Sequence, residues 1–284
     1  MKIGLVFSGG GAKGAYEIGV WKALRKLKLD KHISVISGTS IGALNAVLFV
    51  NGDYNKAENI WNNLTLEQIT KPTTENLNLK LTPFIDKMMF PQLKTAGSYI
   101  KSAINKYISI GAFSQESVKN FIEKYVDFEK IYSFKGICYV SVFNNKLNKP
   151  EYIKLNHLTE EKIIRYLLAT TAMPVIFDKV TIDGNDYYDG GIPFFGANTP
   201  IAPVIKEKCD IIIAVTTNQW GDFWAKEKNE SDAKIYWVIP QEDLWNFIDG
   251  TFAFNPEDIK RRIQQGYKEG MRVLKNLSLI PTVK

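Results

Sequence analysis

The chain has 284 residues, of which 45% are hydrophobic, 12% aromatic and 23% charged. This composition allows a sizeable core and excludes intrinsically disordered, collagen-like and coiled-coil chains. Lysine and arginine total 36 against 30 acidic residues, and the resulting formal charge of +6 permits an anionic partner. No arginine-rich arm or nucleic-acid-binding motif accompanies this charge, so we expect no nucleic-acid partner.

The cysteines and the apolar runs bear on cofactors and location. Cys138 and Cys209 lie in apolar stretches, with no second Cys or His at metal-ligand spacing. We therefore expect reduced core thiols, no metal and no cofactor. The apolar run from Ile3 to Phe7 is too short for a signal peptide, and polar residues interrupt the longest uncharged stretch, 33–52. The sequence thus predicts a cytoplasmic protein without a transmembrane segment.

Strands and helices are predicted to alternate along the chain. A strand from Lys2 to Phe7 precedes a helix from Ala15 to Leu29, and a strand from His32 to Ser37 precedes a helix from Ile41 to Val50. Further strands are predicted at Ile137 to Phe143, Tyr152 to Leu155, Val180 to Ile182, Tyr187 to Tyr188, Ile211 to Thr217 and Ile235 to Ile239. Later helices are predicted to begin at the caps Thr159 and Asn255. This alternation predicts an α/β fold with a mainly parallel sheet covered on both faces.

No repeat or linker divides the chain, so a single domain over residues 1–284 is predicted, with a mostly helical insertion or cap at about 62–135. Thr65 and Gln68 form a candidate capping box within it. Residues 87–115 contain no acid, and apolar residues at helical spacing accompany four lysines: Lys87, Lys94, Lys101 and Lys106. This segment either packs on the sheet or docks on an anionic membrane.

A glycine-rich turn, Ser8 to Gly14, directly follows the first strand and precedes the first helix. Consecutive glycines let several backbone N–H groups point at one negative oxygen, next to the positive end of the helix. Gly9, Gly11 and Gly14 also satisfy the dinucleotide-binding pattern GxGxxG. That pattern needs an acid at the end of the second strand, which ends instead in serine, glycine and threonine at 37–40. An anion hole is the favoured interpretation.

The second motif is GxSxG, formed by Gly38, Ser40 and Gly42 where the second strand meets the second helix. A serine in such a sharp turn needs small residues two positions away on each side, because side chains there would collide. The turn holds the hydroxyl out at the carboxyl edge of the sheet, where α/β folds place their sites. Ser40 is therefore a candidate nucleophile.

The base for Ser40 is not expected to be histidine. His32 lies at the start of the second strand. The usual triad order in α/β hydrolases is serine, then a carboxylate, then histidine, and no histidine follows the carboxylates that come after His157, so this order is not met. Asp189 leaves a predicted hairpin strand and enters the turn Gly190-Gly191. It would need an apolar site and a hydrogen bond to the serine to act as a base, and the alternative is an ordinary Asp-Gly turn.

Together, and in this order, the glycine-rich turn, the GxSxG turn with Ala43 to Ala46, and Asp189-Gly190-Gly191 resemble the patatin-like phospholipase family. The segment 169–174, Ala-Thr-Thr-Ala-Met-Pro, is similar to the small-residue segment of that family. The resemblance spans about residues 1 to 205. It implies a three-layer α/β/α sandwich and hydrolysis of acyl esters in phospholipids or neutral lipids, without a cofactor. It assigns Ser40 and Asp189 as the catalytic pair.

The resemblance also assigns an oxyanion hole to Gly9, Gly10 and Gly11, chiefly the amides of the last two. The supporting loop residues are Lys13, Gly14, Gly38, Gly42, Gly190 and Gly191. Two departures are visible. Lys13 stands where the family more often has arginine, which keeps the charge. The Asn-x-Pro motif at 198–200 comes nine residues after Asp189 rather than six. A dinucleotide-binding oxidoreductase and a catalytically idle lipid-binding module remain as alternatives.

Overall fold

The computed structural model describes residues 1–69, 71–73, 112–174, 177–192, 196–221, 225, 232–244 and 247–277. The strands are β1 (Ile3–Phe7), β2 (Ile33–Thr39), β3 (Lys71–Thr73), β4 (Ala112–Ser114), β5 (Ile137–Asn144), β6 (Lys149–Lys154), β7 (Val180–Ile182), β8 (Asn185–Asp189), β9 (Ile211–Val215) and β10 (Lys234–Val238). The helices are α1 (Ala15–Lys26), α2 (Ile41–Asn51), α3 (Tyr54–Asn63), α4 (Leu66–Ile69), α5 (Glu116–Tyr125), α6 (Phe128–Ser133), α7 (Glu160–Thr170), α8 (Ala202–Lys206), α9 (Phe247–Phe252) and α10 (Pro256–Leu274).

The main sheet runs in the order β10-β9-β1-β2-β5-β8-β7, and β6 pairs with β5 off this path. The strands from β10 to β5 are parallel, as predicted. Strands β6, β7 and β8 form an antiparallel part that begins at β5. The sheet is therefore mixed, and its parallel half carries the first two strand-to-helix turns.

Strand β5 has an unusual set of neighbours. Strand β6 pairs with residues 139–144 of β5 and so occupies one of its edges. Strand β2 pairs with residues 137–141 and β8 with residues 142–144. Because each edge of a residue in a sheet has one partner, β2 and β8 share the other edge of β5. They run in opposite directions, so their carboxyl ends face each other there.

Side chains alternate between the two faces of the sheet and pack against helices on both. Leu5 and Phe7 of β1 join the large core cluster with residues of α1, α2 and α7. Val6 points the other way and joins a second cluster, which includes Val204 of α8. This alternation is the period of two expected for strands. The predicted three-layer α/β/α fold is confirmed.

Helix α1 is shorter than predicted. The predicted end at Leu29 is wrong, because the helix stops at Lys26. Lys28 has a φ of 60°, and the N–H of Leu29 donates to the carbonyl oxygen of Leu24 at 2.8 Å. These features are typical of a helix that ends in a left-handed residue. The apolar spacing alone did not reveal this turn.

The structure describes part of the predicted insertion at 62–135. It contains α4, α5, α6 and the antiparallel pair of β3 and β4. The N–H of Thr65 donates to Oε1 of Gln68 at 3.2 Å, one half of the predicted capping box. Lys87, Lys94 and the two lysines that follow them in the basic segment, 101 and 106, lie outside the described residues. Of the helices described, none has the length and apolar character needed to cross a bilayer.

Candidate active site

Ser40 occupies the sharp turn between β2 and α2. Its backbone has φ 54° and ψ −127°, a conformation that is rare for a residue with a side chain and marks local strain. A Cβ on Gly38 would lie 2.3 Å from the carbonyl oxygen of Gly42, and one on Gly42 would lie 2.6 Å from that of Ser8. Both flanking positions therefore need glycine, as the GxSxG motif predicted.

The meeting of β2 and β8 on the edge of β5 brings Ser40 close to Asp189. Thr39, the last residue of β2, pairs with Ser141. Asp189, the last residue of β8, pairs with the next residue of β5, Val142. Ser40 directly follows Thr39, so the nucleophile turn and the carboxylate face each other across this junction.

Asp189 is buried, with 4% of its surface exposed. The Ser40 side chain faces this carboxyl, and the N–H of Gly191 donates to Oδ1 at 2.7 Å. Burial raises the pKa of Asp189 to about 6, and both interactions oppose this rise because they favour the carboxylate. A carboxylate with a raised pKa that touches a serine hydroxyl has the properties of a general base.

The glycine-rich turn lies beside Ser40. The N–H of Gly9 donates to the backbone oxygen of Asn198 at 3.1 Å, so this predicted oxyanion donor is already paired in the structure. Within the described part of the chain, the N–H groups of Gly10 and Gly11 have no acceptor. Gly11 has a φ of 57°, and a Cβ there would lie 2.3 Å from the carbonyl oxygen of Thr251. Two free donors thus remain in the loop.

Asn198 also donates a hydrogen bond to the glycine-rich turn through its side chain. Its Nδ2 donates to the carbonyl oxygen of Gly9 at 3.3 Å. The Thr217 hydroxyl donates to the same oxygen. The displaced Asn-x-Pro motif therefore fixes the base of the glycine-rich turn, a contact that the sequence did not reveal.

The two histidines, which are the alternative candidates for the base, lie away from Ser40. His32 is at the start of β2, about 20 Å along the strand from the Ser40 turn. His157 is exposed, just before α7. Strand β2 ends at Thr39 and leads directly into Ser40, with no carboxylate where a dinucleotide ribose would bind.

Residues 5–205 match the model of the family described as patatin-like phospholipase. The chain belongs to this family. The patatin-like phospholipase family comprises lipid acyl hydrolases, so the expectation of a lipid ester hydrolase is confirmed at the level of the family.

Curated relatives agree with this assignment. The chain is 28% identical over 222 residues to a protein named probable lipid hydrolase 463L of Invertebrate iridescent virus 6. This alignment covers 75% of this chain and 69% of the viral protein. It is 23% identical to the lysophospholipase NTE1 of Kluyveromyces lactis, across 99% of this chain. It spans 17% of that longer protein.

Two solved structures share the patatin-like fold. VipD from Legionella pneumophila aligns over 96% of this chain and 66% of its own, with a TM-score of 0.54 and 15% identity. Human GIVD cytosolic phospholipase A2, solved with methyl gamma-linolenyl fluorophosphonate, aligns over 98% of this chain and 58% of its own. Its TM-score is 0.55 and its identity 11%.

Lys13, the basic residue of the patatin-like loop, is turned into the protein. It is 6% exposed. Burial lowers its pKa to about 8, an effect that Asp243 opposes and Arg262 reinforces. Its charge therefore faces the inner side of the loop, toward the segment before α9 and toward α10. Gly190, another supporting residue, packs against Ser141, where a Cβ would lie 2.4 Å from the carbonyl oxygen.

A buried polar network lies under the glycine-rich turn, and no sequence pattern indicated it. Glu17 of α1 is fully buried and accepts from Nδ2 of Asn45 at 2.7 Å. The N–H of Ser8 also faces this carboxyl. Asn45 of α2 donates in addition to the carbonyl oxygen of Gly14 at 3.0 Å and accepts from Nε1 of Trp61 at 2.9 Å. The network ties α1, α2 and α3 to both ends of the turn.

Proposed function

We propose that this chain hydrolyses acyl esters of lipids, phospholipids or neutral acyl lipids, with Ser40 as nucleophile and Asp189 as its general base. The observation that carries this proposal is the meeting of the Ser40 turn with Asp189, a buried carboxyl that interacts with the Ser40 side chain and whose pKa is raised to about 6. A base works best when its pKa lies near the working pH. Membership of the patatin-like family supports the same class of substrate.

The acylation half of the reaction uses both residues. Asp189 takes the hydroxyl proton while Oγ of Ser40 attacks the ester carbonyl carbon, and the carbonyl π electrons move to its oxygen. When the tetrahedral intermediate collapses, the bond to the leaving alcohol breaks and that oxygen takes the proton back from Asp189. An acyl-serine and a free alcohol result.

The deacylation half repeats these steps with water. Asp189 removes a proton from a water molecule, which attacks the acyl-serine carbonyl. Collapse of the second intermediate releases the fatty acid and returns the proton to Oγ of Ser40. Enzyme and base end in their starting states.

The N–H groups of Gly10 and Gly11 are the proposed oxyanion donors. They lie in the turn beside Ser40 and have no acceptor in the described part of the protein. Each such donor contributes about 10²–10³ in rate in hydrolases where it has been removed. Anchoring of the turn by Asn198 and Thr217 holds these donors in place before substrate binds.

Site-directed variants test the pair. Because Ser40 and Asp189 act as one unit, Ser40→Ala and Asp189→Asn should each lower kcat for a soluble ester by at least ~10³-fold, and the double variant little further. His32→Ala and His157→Ala are the matched controls and should stay within about threefold of wild type. High activity in Asp189→Asn, or its collapse in His157→Ala, would contradict the pair.

A fluorophosphonate probe gives an independent test. It should label one serine, and peptide mapping by mass spectrometry should locate the adduct at Ser40. Labelling should disappear in Ser40→Ala. A folded protein that takes up no label and cleaves no ester, yet binds lipid vesicles, would instead be an idle lipid-binding module.

We further propose that the protein meets its substrate on an anionic membrane surface. The formal charge of +6 and the four lysines in the acid-free segment 87–115 support this contact. Each lysine near an anionic surface contributes about 1 kcal/mol. A bilayer would present both the ester and the attracting charge.

A further inference from the structure

Three backbone groups beside the junction of β2 and β8 have partners from outside the sheet: the N–H of Ser40, the carbonyl oxygen of Ser141 and the N–H of Asp189. All lie at or beside the point where two strand ends meet on one edge of β5. Buried groups of this kind need partners from elsewhere in the chain.

One short segment at the end of α7 satisfies all three groups. The N–H of Ser40 donates to Oγ1 of Thr170 at 2.9 Å, and Oγ1 of Thr170 donates to the carbonyl oxygen of Ser141 at 2.6 Å. The N–H of Asp189 donates to the backbone oxygen of Ala172 at 2.9 Å. Both members of the candidate dyad are therefore held from one short segment, through Thr170 and Ala172.

The direction of each bond at Thr170 is fixed. A hydroxyl has one proton, and Thr170 gives it to Ser141, so its lone pairs face the N–H of Ser40. The residue is fully buried, so water does not compete for these bonds. The hydroxyl acts as a bridge between β5 and the nucleophile turn.

The bridge attaches to the one position where the turn is strained. Ser40 has φ 54°, and conformations of this kind persist only where the surroundings over-determine them. Its N–H also belongs to the beginning of α2, where helix N–H groups have no partner within the helix. Loss of the bridge would let Ser40 relax away from Asp189.

We propose that Thr170 is a positioning residue for the nucleophile: its hydroxyl sets the Ser40 turn against β5 and so fixes Oγ of Ser40 in register with Asp189. This inference rests on the proposed function, since it assigns a role relative to the Ser40–Asp189 pair. It gives a physical purpose to Thr170, the first of the two threonines in the small-residue segment 169–174.

Three variants separate this role from simple packing. Thr170→Val keeps the shape and removes both hydrogen bonds, whereas Thr170→Ser keeps the hydroxyl. The matched control is Thr171→Val, because the described partners of the Thr171 hydroxyl are the carbonyl oxygens of Leu167 and Leu168 in the preceding helix, away from the dyad. The readouts are kcat and KM for p-nitrophenyl butyrate, with active sites counted by fluorophosphonate labelling, and the melting temperature.

Thr170→Val should lower kcat per active site by about 10- to 100-fold, the cost of displacing a reacting group by up to about 1 Å, with KM changed less than about twofold. Thr170→Ser should recover kcat to within about threefold of wild type. Thr171→Val should leave both constants at the wild-type level. A Thr170→Val protein that melts earlier but keeps its kcat per active site would overturn the inference.

Two further results keep the test decisive. If wild type itself shows no turnover that Ser40→Ala abolishes, the proposed function fails, and this is visible before any Thr170 variant is measured. If Thr170→Val does not fold, Thr170→Cys takes its place, since a thiol hydrogen-bonds weakly. Its kcat should then fall below that of Thr170→Ser, and equal values would overturn the inference.

Discussion

Among single residues, Asp189 determines how the rate should depend on pH. Burial raises its pKa to about 6, and a carboxyl that is already protonated cannot accept the serine proton. Activity should therefore be lost as the pH falls through about 6 and should level off above it. The measurement is kcat/KM for a soluble ester between about pH 5 and pH 9. A profile that stays flat down to about pH 5 would contradict Asp189 as the base.

The polar residues of the candidate site show how much of their placement follows from local pattern. The positions of Ser40 and Asp189 at the ends of strands were predictable because each directly follows or ends a strand next to glycines. The pairing of the Gly9 N–H was not predictable, because its acceptor, the backbone oxygen of Asn198, lies far away in the sequence. Glu17 was missed because an acid in a helix is ordinarily on the solvent side, whereas the first part of α1, residues 15–21, is buried on all sides.

At the scale of elements, the Glu17 network joins three helices beneath the glycine-rich turn. Burial raises the pKa of Glu17 well above its ordinary value, which means that ionisation costs stability in the folded state. The folded protein then holds a proton that the unfolded chain releases near pH 4.5, so stability falls as the pH rises above that value. A neutral side chain at this position would not have this dependence.

Glu17→Gln should therefore gain stability relative to wild type as the pH rises from about 5 to 8, because the amide stays neutral and its oxygen can still accept from Nδ2 of Asn45. Urea unfolding of both proteins at several pH values measures the difference. Glu161→Gln is the control, since that side chain is 81% exposed and should change stability by less than about 0.5 kcal/mol at every pH. A Glu17→Gln protein that is destabilised at pH 8 would show that the ionised carboxylate is needed.

Most strands were predicted from runs of β-branched residues, and β7 has the predicted bounds. The hairpin between β7 and β8 was also predictable, since Asp183 and Gly184 both adopt positive φ in the turn. The position of β8 on the edge of β5 was not, because pairing between distant strands leaves no local pattern. Helix α3 was missed too, although Asp53 caps it by accepting from the N–H of Lys56 at 3.0 Å.

For the whole molecule, the charge of +6 predicts how it should bind membranes. The Ser40→Ala protein should co-sediment with anionic vesicles more than with neutral ones, and less as salt rises. Replacing Lys87, Lys94, Lys101 and Lys106 together by Gln should abolish most of this binding. If binding ignores lipid charge and survives the four substitutions, the basic segment is not the contact.

A control with the same loss of charge makes this test specific. Four exposed lysines precede the parallel strands β2 and β5, at the opposite ends of these strands from the Ser40 turn: Lys26, Lys28, Lys31 and Lys135. Changing these four to Gln alters the net charge equally. Binding should persist in this variant if the acid-free segment makes the contact, and should fall equally if net charge alone is responsible.

The end-to-end meeting of β2 and β8 also affects the order in which the protein matures. The residues of the Ser40 turn are synthesised early, whereas Thr170, which holds the turn, arrives only with α7, and Asp189 arrives only with the β7–β8 hairpin. Contacts between distant residues close slowly. During synthesis, which proceeds from the N-terminus, the emerging chain would carry its nucleophile for a long interval without a base. Under the proposed function, ester cleavage would then begin only when the last part of the sheet has docked.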